Sequence, residues 1–242
     1  MSISGSLFRC SLKKIRPMNN LDRPVWASLI HAPHLAEGGD LAKRFRRDIN
    51  LFASACDDSL SSLAALRGLV LQGESVFVLQ VPPIRVPNGL VAARTAQGVQ
   101  MLVTRPIASH AGDHTIVDLG DADAPEMVAL AQLTEPGPFL PRTHTMGHFI
   151  GIRINGRLAA MAGERMRFPG FTEVSGVCTH PDFRGRGLAR RLSSVVANAI
   201  QQRGDQPFLH AWTTNHAAIT MYESLGFELR AAVQVAVLMQ QV

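Results

Sequence analysis

Residues 179–192 read THPDFRGRGLARRL. An apolar, strand-like run, FTEVSGVC (171–178), leads into them. Leu188, Leu192, Val195, Val196 and Ala199 then follow on one side of an amphipathic helix that Gly204 closes. The stretch is therefore the joint between a strand and a helix. It gathers four arginines and two glycines and holds no acidic residue after Asp182. The first turn of a helix leaves backbone N–H groups without partners and carries partial positive charge. Arginines there oppose the helix dipole, so their gathering calls for a negative guest. Gly185 and Gly187, with the small Ala189, remove side-chain bulk and let an anion approach the main chain. A pyrophosphate suits such a cradle, because two adjacent negative groups can accept several N–H bonds at once. A tight turn with solvated arginines accounts for the same hexapeptide, so the decision falls to its surroundings.

Those surroundings are well patterned. HTIVDLG (114–120) reads as a strand. DAPEMVALAQLT (123–134) reads as a helix with Asp123 as cap, Pro125 in the first turn and Glu126 three residues after the cap. EPGPFLPRTH is a proline-rich loop. Asn155-Gly156 joins two strand-like runs and predicts a hairpin. After the 188–204 helix come a strand, PFLHAW, a helix stopped by Gly226, and one or two final strands in FELRAAVQVAVLMQQ. The order from about residue 114 is β-α-β-β-β-α-β-α-β, an α/β fold with a mixed sheet flanked by helices. The first half is less regular. RPVWASLI opens a helix, DDSLSSLAALRGLVLQG predicts a helix capped by Asp58 or Ser59 and stopped by Gly73, and ESVFVLQV and GVQMLVT predict strands. RPIASHAGDH marks a boundary, giving an N-terminal α/β domain over 1–112 and a second domain over 113–242.

The motif VCT-x-P into R-x-x-G-x-A (Arg184, Gly187, Ala189) is followed by N-x-x-A-x-x-x-Y-x-x-L-G-F (Asn215 to Phe227). In order and spacing this pair resembles the GNAT superfamily of acyl-CoA-dependent N-acyltransferases, over roughly residues 114 to 242. The resemblance implies a GNAT-like central sheet, with the N-terminal domain read as a degenerate, CoA-free copy of the same fold. It implies that acetyl-CoA is a cosubstrate and that an amine attacks its thioester directly in one ternary complex, where fixed geometry supplies much of the rate and main-chain donors stabilise the developing oxyanion. Carried over residue by residue, the pyrophosphate falls to Arg184, Gly185, Arg186, Gly187, Leu188, Ala189 and Arg190. The pantetheine arm runs along the main chain of Val177, Cys178 and Thr179, in a strand splayed from its neighbour. Asn215 contacts the cofactor or caps its helix. Tyr222, the only tyrosine in the chain, matches the residue that protonates the departing thiolate. Glu173 and His210 match two places where family members keep a base, which an alkylammonium needs before it can attack. A half-buried core tyrosine and a hydrogen-bonded strand histidine are the plain alternatives. The loop LTEPGPFLPRTHTMGH, with Phe139 and Glu135, would cover the acceptor pocket. A rival reading on the same fold is a non-catalytic acyl-CoA sensor that keeps the glycine turn without a working acid and base.

Composition narrows the other options. At 46% hydrophobic and 18% charged, the chain has material for a soluble core. Its net charge of +5 favours anionic partners. With two tryptophans and one tyrosine, the stacking platforms of single-strand nucleic-acid binders are scarce, and AKRFRRD reads better as a solvated helix face than as a nucleic-acid patch. Cys10, Cys56 and Cys178 are far apart and form no CxxC pair, which fits a reducing, cytoplasmic setting. Cys178 reads as a packing residue rather than a nucleophile, since no basic partner adjoins it. The first 17 residues hold no signal-like apolar core, and no run approaches a membrane span. His144 and His148 fall in a loop, so their spacing does not make a metal site, and no metal is expected. The partners expected are acetyl-CoA and an amine-bearing small molecule or protein, with neither nucleic acid nor membrane; the oligomeric state is left open.

Overall fold

A computed structural model describes residues 19–107 and 115–241. The 112/113 boundary, Cys10 and the reading of the first 17 residues lie outside the described residues. The chain opens with helix α1 (Pro24–His31) and three short strands, β1 (Ala36–Gly38), β2 (Ala42–Phe45) and β3 (Ala53–Ala55). Helix α2 (Leu60–Gly68) and strands β4 (Ser75–Gln80) and β5 (Leu90–Val103) complete the first half. The second half runs β6 (Ile116–Leu119), α3 (Ala124–Thr134), β7 (Phe149–Ile154), β8 (Arg157–Phe168), β9 (Phe171–Thr179), α4 (Leu188–Gln202), β10 (Gln206–Trp212), α5 (His216–Leu225) and β11 (Phe227–Gln240). This is the alternation read from the sequence, a mixed sheet flanked by helices.

Eight strands form the main sheet in the order β4-β11-β5-β10-β9-β8-β7-β6, and β1-β2-β3 form a second, small antiparallel sheet. Strands β4 and β5 from the first half thus lie in one sheet with β10 and β11, with β11 inserted between β4 and β5. All neighbours in the main sheet are antiparallel except β9 and β10. A parallel pair needs a crossover, and α4 supplies it. The apolar stripe of α4, with Leu188, Leu192, Val196 and Ile200, packs with Ile150, Ala160, Val174 and Leu209 of the sheet. A second cluster, with Val25, Leu29, Phe45, Phe52, Met166, Phe168 and Phe208, joins α1 and the small sheet to the main one.

Local details follow sequence chemistry with three departures. Asn155 (φ 52°) and Gly156 (φ 79°) both adopt the left-handed conformation that a two-residue hairpin of this type needs. Ser59 caps α2 by accepting from the Ser62 amide at 3.2 Å, but the helix stops at Gly68 rather than Gly73, where Val70 turns into the core. Asp123 does not cap α3, because its carboxylate accepts from the Gly120 amide at 3.0 Å and closes the short turn ahead of the helix. AKRFRRD is no solvated helix face: Ala42–Phe45 is strand β2, and Arg44, 2% exposed, is held by Glu74 at 2.9 Å and the Leu69 carbonyl at 3.1 Å.

Candidate active site

Strands β9 and β10 are paired only from Phe171–Glu173 to Gln206–Phe208 and then part. Beyond Glu173 the β9 main chain has no partner on its β10 side, while β10 remains paired to β5. Gly176 bends β9 in the left-handed region (φ 62°), and a Cβ there would sit 2.8 Å from the Phe149 ring. The fork opens into a cleft of about 850 Å³. Its walls include Val177, Cys178 and Thr179 of β9, the whole run Arg184–Arg190, Asn215 at the head of α5 and Tyr222 within it.

At the head of α4, Gly185 (φ 76°) and Gly187 (φ 73°) are left-handed, and a Cβ on either would meet no protein atom within 4 Å. The glycines are thus required by the backbone turn, and the space beside them is open. The Arg184 amide donates to the Pro181 carbonyl (3.3 Å) and the Arg191 amide to the Gly187 carbonyl (3.0 Å). Among the described residues, none of the amides between them, from Gly185 to Arg190, donates a hydrogen bond. Because its amide is taken, Arg184 has only its side chain left for an anion. No acidic residue stands in the first turn of α4, and the Arg186 guanidinium lies over the Phe183 ring at 5.3 Å. Unpartnered N–H groups, the helix dipole and arginines converge on open space, which is the chemistry of a diphosphate seat.

Asn215 caps α5, its side-chain oxygen accepting from the Ala218 amide at 3.2 Å. Tyr222, 7% exposed, packs edge-on to Phe227 and also reaches the cleft. Burial raises the pKa of its hydroxyl, so the proton stays on at neutral pH. Cys178 is 2% exposed, and burial pushes its thiol up to about 11. It is therefore a packing residue with negligible thiolate, as its sequence context suggested.

Glu173 and His210 are brought together in one hydrogen-bonded group. Glu173 is fully buried and does not line the cleft. Arg165 grips it bidentately (Nε to Oε2 and Nη2 to Oε1, both 2.8 Å). His210 Nδ1 donates to Oε1 at 2.7 Å and the Met166 amide to Oε2 at 3.3 Å. Burial alone would raise this carboxyl, but the Arg165 charge and these hydrogen bonds overcome it and hold it at about 2. With two donors on each oxygen and so low a pKa, Glu173 has little affinity for an amine's proton. His210 does line the cleft, yet its second nitrogen, Nε2, lies 3.0 Å from Nε2 of Gln100 and is already engaged.

The cleft continues past this pair to a wall of Phe52, Phe77, Leu79, Val235 and Trp212. Phe52 and Phe77 meet edge-to-face at 6.0 Å, and the Arg165 guanidinium lies 4.9 Å over Phe52. Glu135, left-handed at φ 48°, stands on the cleft in the proline-rich loop. Phe139 of that loop packs on Phe149 rather than lining the main cleft. The sequence reading missed Arg165, Gln100 and the first-half aromatics. An arginine amid the apolar run LAAMAGERMRF was the one legible signal. His144 and His148 pair with Asp121 (2.6 Å) and Asp118 (2.7 Å), and no metal-ligating cluster stands among the described residues.

A family model described as FR47-like protein matches residues 149–236, the stretch that builds this fork and its helices. A solved putative acetyltransferase of the GNAT family from Novosphingobium aromaticivorans is 41% identical, with a TM-score of 0.87, over 93% of this chain and 100% of that one. The chain belongs to the GNAT family. The N-alpha-acetyltransferase RimI of Mycobacterium tuberculosis is 37% identical over 84 residues, 34% of this GNAT chain and about half, 52%, of that relative's length. The [ribosomal protein bS18]-alanine N-acetyltransferase of Escherichia coli is 28% identical over 120 residues, 47% of this chain and 80% of the relative. A GCN5-related N-acetyltransferase from Kribbella flavida, 17% identical over 91% of this chain and 96% of its own with a TM-score of 0.58, shares the fold.

Proposed function

We propose that the protein binds acetyl-CoA in the β9/β10 fork and transfers the acetyl group to an amine within one ternary complex. The observation that carries this reading is the run of unpartnered amides from Gly185 to Arg190 on the wall of a cleft that also reaches Tyr222. Those amides would take the diphosphate, with Arg184, Arg186 and Arg190 around it. Val177, Cys178 and Thr179, unpaired on the β10 side of β9, offer the pantetheine arm a main-chain partner there. The thioester supplies an electrophilic carbonyl and a sulfur leaving group. The Tyr222 hydroxyl, kept protonated by burial, donates to the departing sulfur; being a weaker acid than a thiol, it stabilises the sulfur by hydrogen bonding as much as by full proton transfer. As the N–C bond forms and the C–S bond breaks, the proton lost by the amine passes to water in the open cleft, and the sulfur takes one through the Tyr222 hydroxyl, which water reprotonates.

The acceptor, an amine-bearing small molecule or protein, enters against Phe52, Phe77 and Leu79. Two relatives are named for N-alpha and alanine N-acetylation, which makes an α-amine the first class to try. Such an amine has a pKa near ~8 and needs little help to lose its proton. The first half reads as a CoA-free copy of the second. The meander β1-β2-β3, then α2, then β4, which touches the β3 region in parallel at Phe52 and Phe77, repeats the course β7-β8-β9-α4-β10. At the head of α2, however, stand Asp57 and Asp58, not glycines and arginines. The Ser59 and Ser62 hydroxyls hold the Asp57 carboxyl at about 2, and its charge would repel a diphosphate.

A panel of amines with acetyl-CoA, followed by free-thiol release, tests the reading. Amine-dependent release supports it. Saturable acetyl-CoA binding with no amine-dependent release across the panel would favour the sensor.

A further inference from the structure

We propose that Gln100, on strand β5 of the first half, is a positioning residue that locks His210 as the neutral imidazole protonated on Nδ1 and so closes this histidine as a proton acceptor. A polar chain crosses the sheet to this histidine. Arg230, at an irregularity in β11, donates from Nη2 to Asp22 (2.6 Å) and from Nη1 to Oε1 of Gln100 (2.8 Å). An arginine can only donate, so the atom facing it is the amide oxygen. Nε2 of Gln100 meets the Leu21 carbonyl at 2.9 Å, which can only accept, so that atom is the amide nitrogen. The orientation of the amide is therefore fixed from both ends. Gln100 is itself fully buried, and a flipped amide would set oxygen against the carbonyl and nitrogen against the guanidinium.

The remaining N–H of Gln100 points at Nε2 of His210, 3.0 Å away. That nitrogen must accept, and the proton of the neutral ring must sit on Nδ1, where Glu173 accepts it at 2.7 Å. Around the ring, Glu173 on β9 carries the negative charge, Arg165 on β8 neutralises it, and Arg230 and Asp22 balance one another behind Gln100 on β5. A second proton on the ring would place two N–H groups face to face. His210 thus shapes the cleft wall with a fixed, uncharged ring. The first half of the chain, which lacks a glycine cradle, contributes to the site by setting this tautomer.

Nitrogen-15 spectra that correlate the ring nitrogens with their carbon-bound protons read the tautomer directly, with His210 assigned by its loss in His210→Asn. In the wild type at neutral pH, Nδ1 should read as protonated and Nε2 as bare. A ring protonated on Nε2, or on both nitrogens, overturns the proposal. Gln100→Glu places an acceptor opposite Nε2 and should bring a proton onto that nitrogen, read as a protonated Nε2 in the same spectra. Gln100→Ala leaves room for water, which can donate or accept, and should let the Nε2-protonated tautomer appear beside the wild-type one. A folded variant of either kind with the wild-type tautomer unchanged also overturns it. None of these readouts needs turnover, so an inactive protein with the stated tautomer would sink the acetyl-transfer reading and leave this one standing.

Discussion

Replacing Glu173 by glutamine removes a charge from a site where the carboxylate is fully buried and its partner Arg165 is 9% exposed. The ordinary value of 4.5 for this carboxyl falls to about 2 in the folded protein. That difference of about 2.5, at ~1.4 kcal/mol per unit, makes the ionised form worth roughly 3 kcal/mol to folding. Breaking one side of a buried ion pair leaves the other charge uncompensated and costs about 3–5 kcal/mol, a range that includes the same figure. For a chain of this size the loss corresponds to a Tm lower by about 6–12 °C. The sign with pH is set by the direction of the shift. A lowered carboxyl pKa stabilises the fold fully above 4.5, and the contribution is lost as pH falls toward 2. Urea denaturation of wild type and Glu173→Gln should therefore show a gap of roughly 3 kcal/mol at neutral pH, with unchanged m, that narrows to under half of that at about pH 3 and closes only toward pH 2. A gap under about 1 kcal/mol at neutral pH, or one that widens on acidification, would refute the buried-anion assignment. A pure catalytic base would behave in the opposite way, losing turnover with stability intact.

Gly187→Glu puts a carboxylate where the proposed diphosphate would sit and should abolish protection against heat by acetyl-CoA; Gly187→Ala meets no atom, yet at φ 73° should cost about 1 kcal/mol of stability. Undiminished protection of the glutamate variant would dismiss the site. Tyr222→Phe should lower kcat at least ~10-fold while the KM for acetyl-CoA stays within about twofold; an unchanged kcat removes the hydroxyl from the mechanism. Cys178, with its thiol at about 11, should resist alkylation in the native protein near pH ~8, and Cys178→Ala should keep turnover; rapid labelling of Cys178 would contradict the burial.

The sequence was most legible where local chemistry alone decides the backbone. Asn155-Gly156, Gly185 and Gly187, Asn215 and Gly226 each take the conformation their side chains, or lack of them, demand. The alternation from residue 116 onward was likewise visible, because apolar spacing on α4 and between β7 and β11 answers to one core. What escaped was set by contacts distant in sequence. Glu173 matches a family base position, but its neighbours in space, Arg165 and His210, make it a saturated anion. Gln100 sits 110 residues from His210 in a strand with no motif, and nothing local announces that its amide fixes the ring. AKRFRRD misled for the same reason: Glu74, on the far side of α2, draws Arg44 inward. The joining of β4 and β5 to β11 is also a long-range pairing that no short window carries.

Titration of the nitrogen-15-labelled protein with acetyl-CoA, read at the backbone amides, tests whether the head of α4 seats the diphosphate. The amides from Gly185 to Arg190 should shift together and saturate with a single dissociation constant, while the already bonded amides of Arg184 and Arg191 move less. Saturable binding that leaves that run unmoved, or no binding at all, would contradict the account.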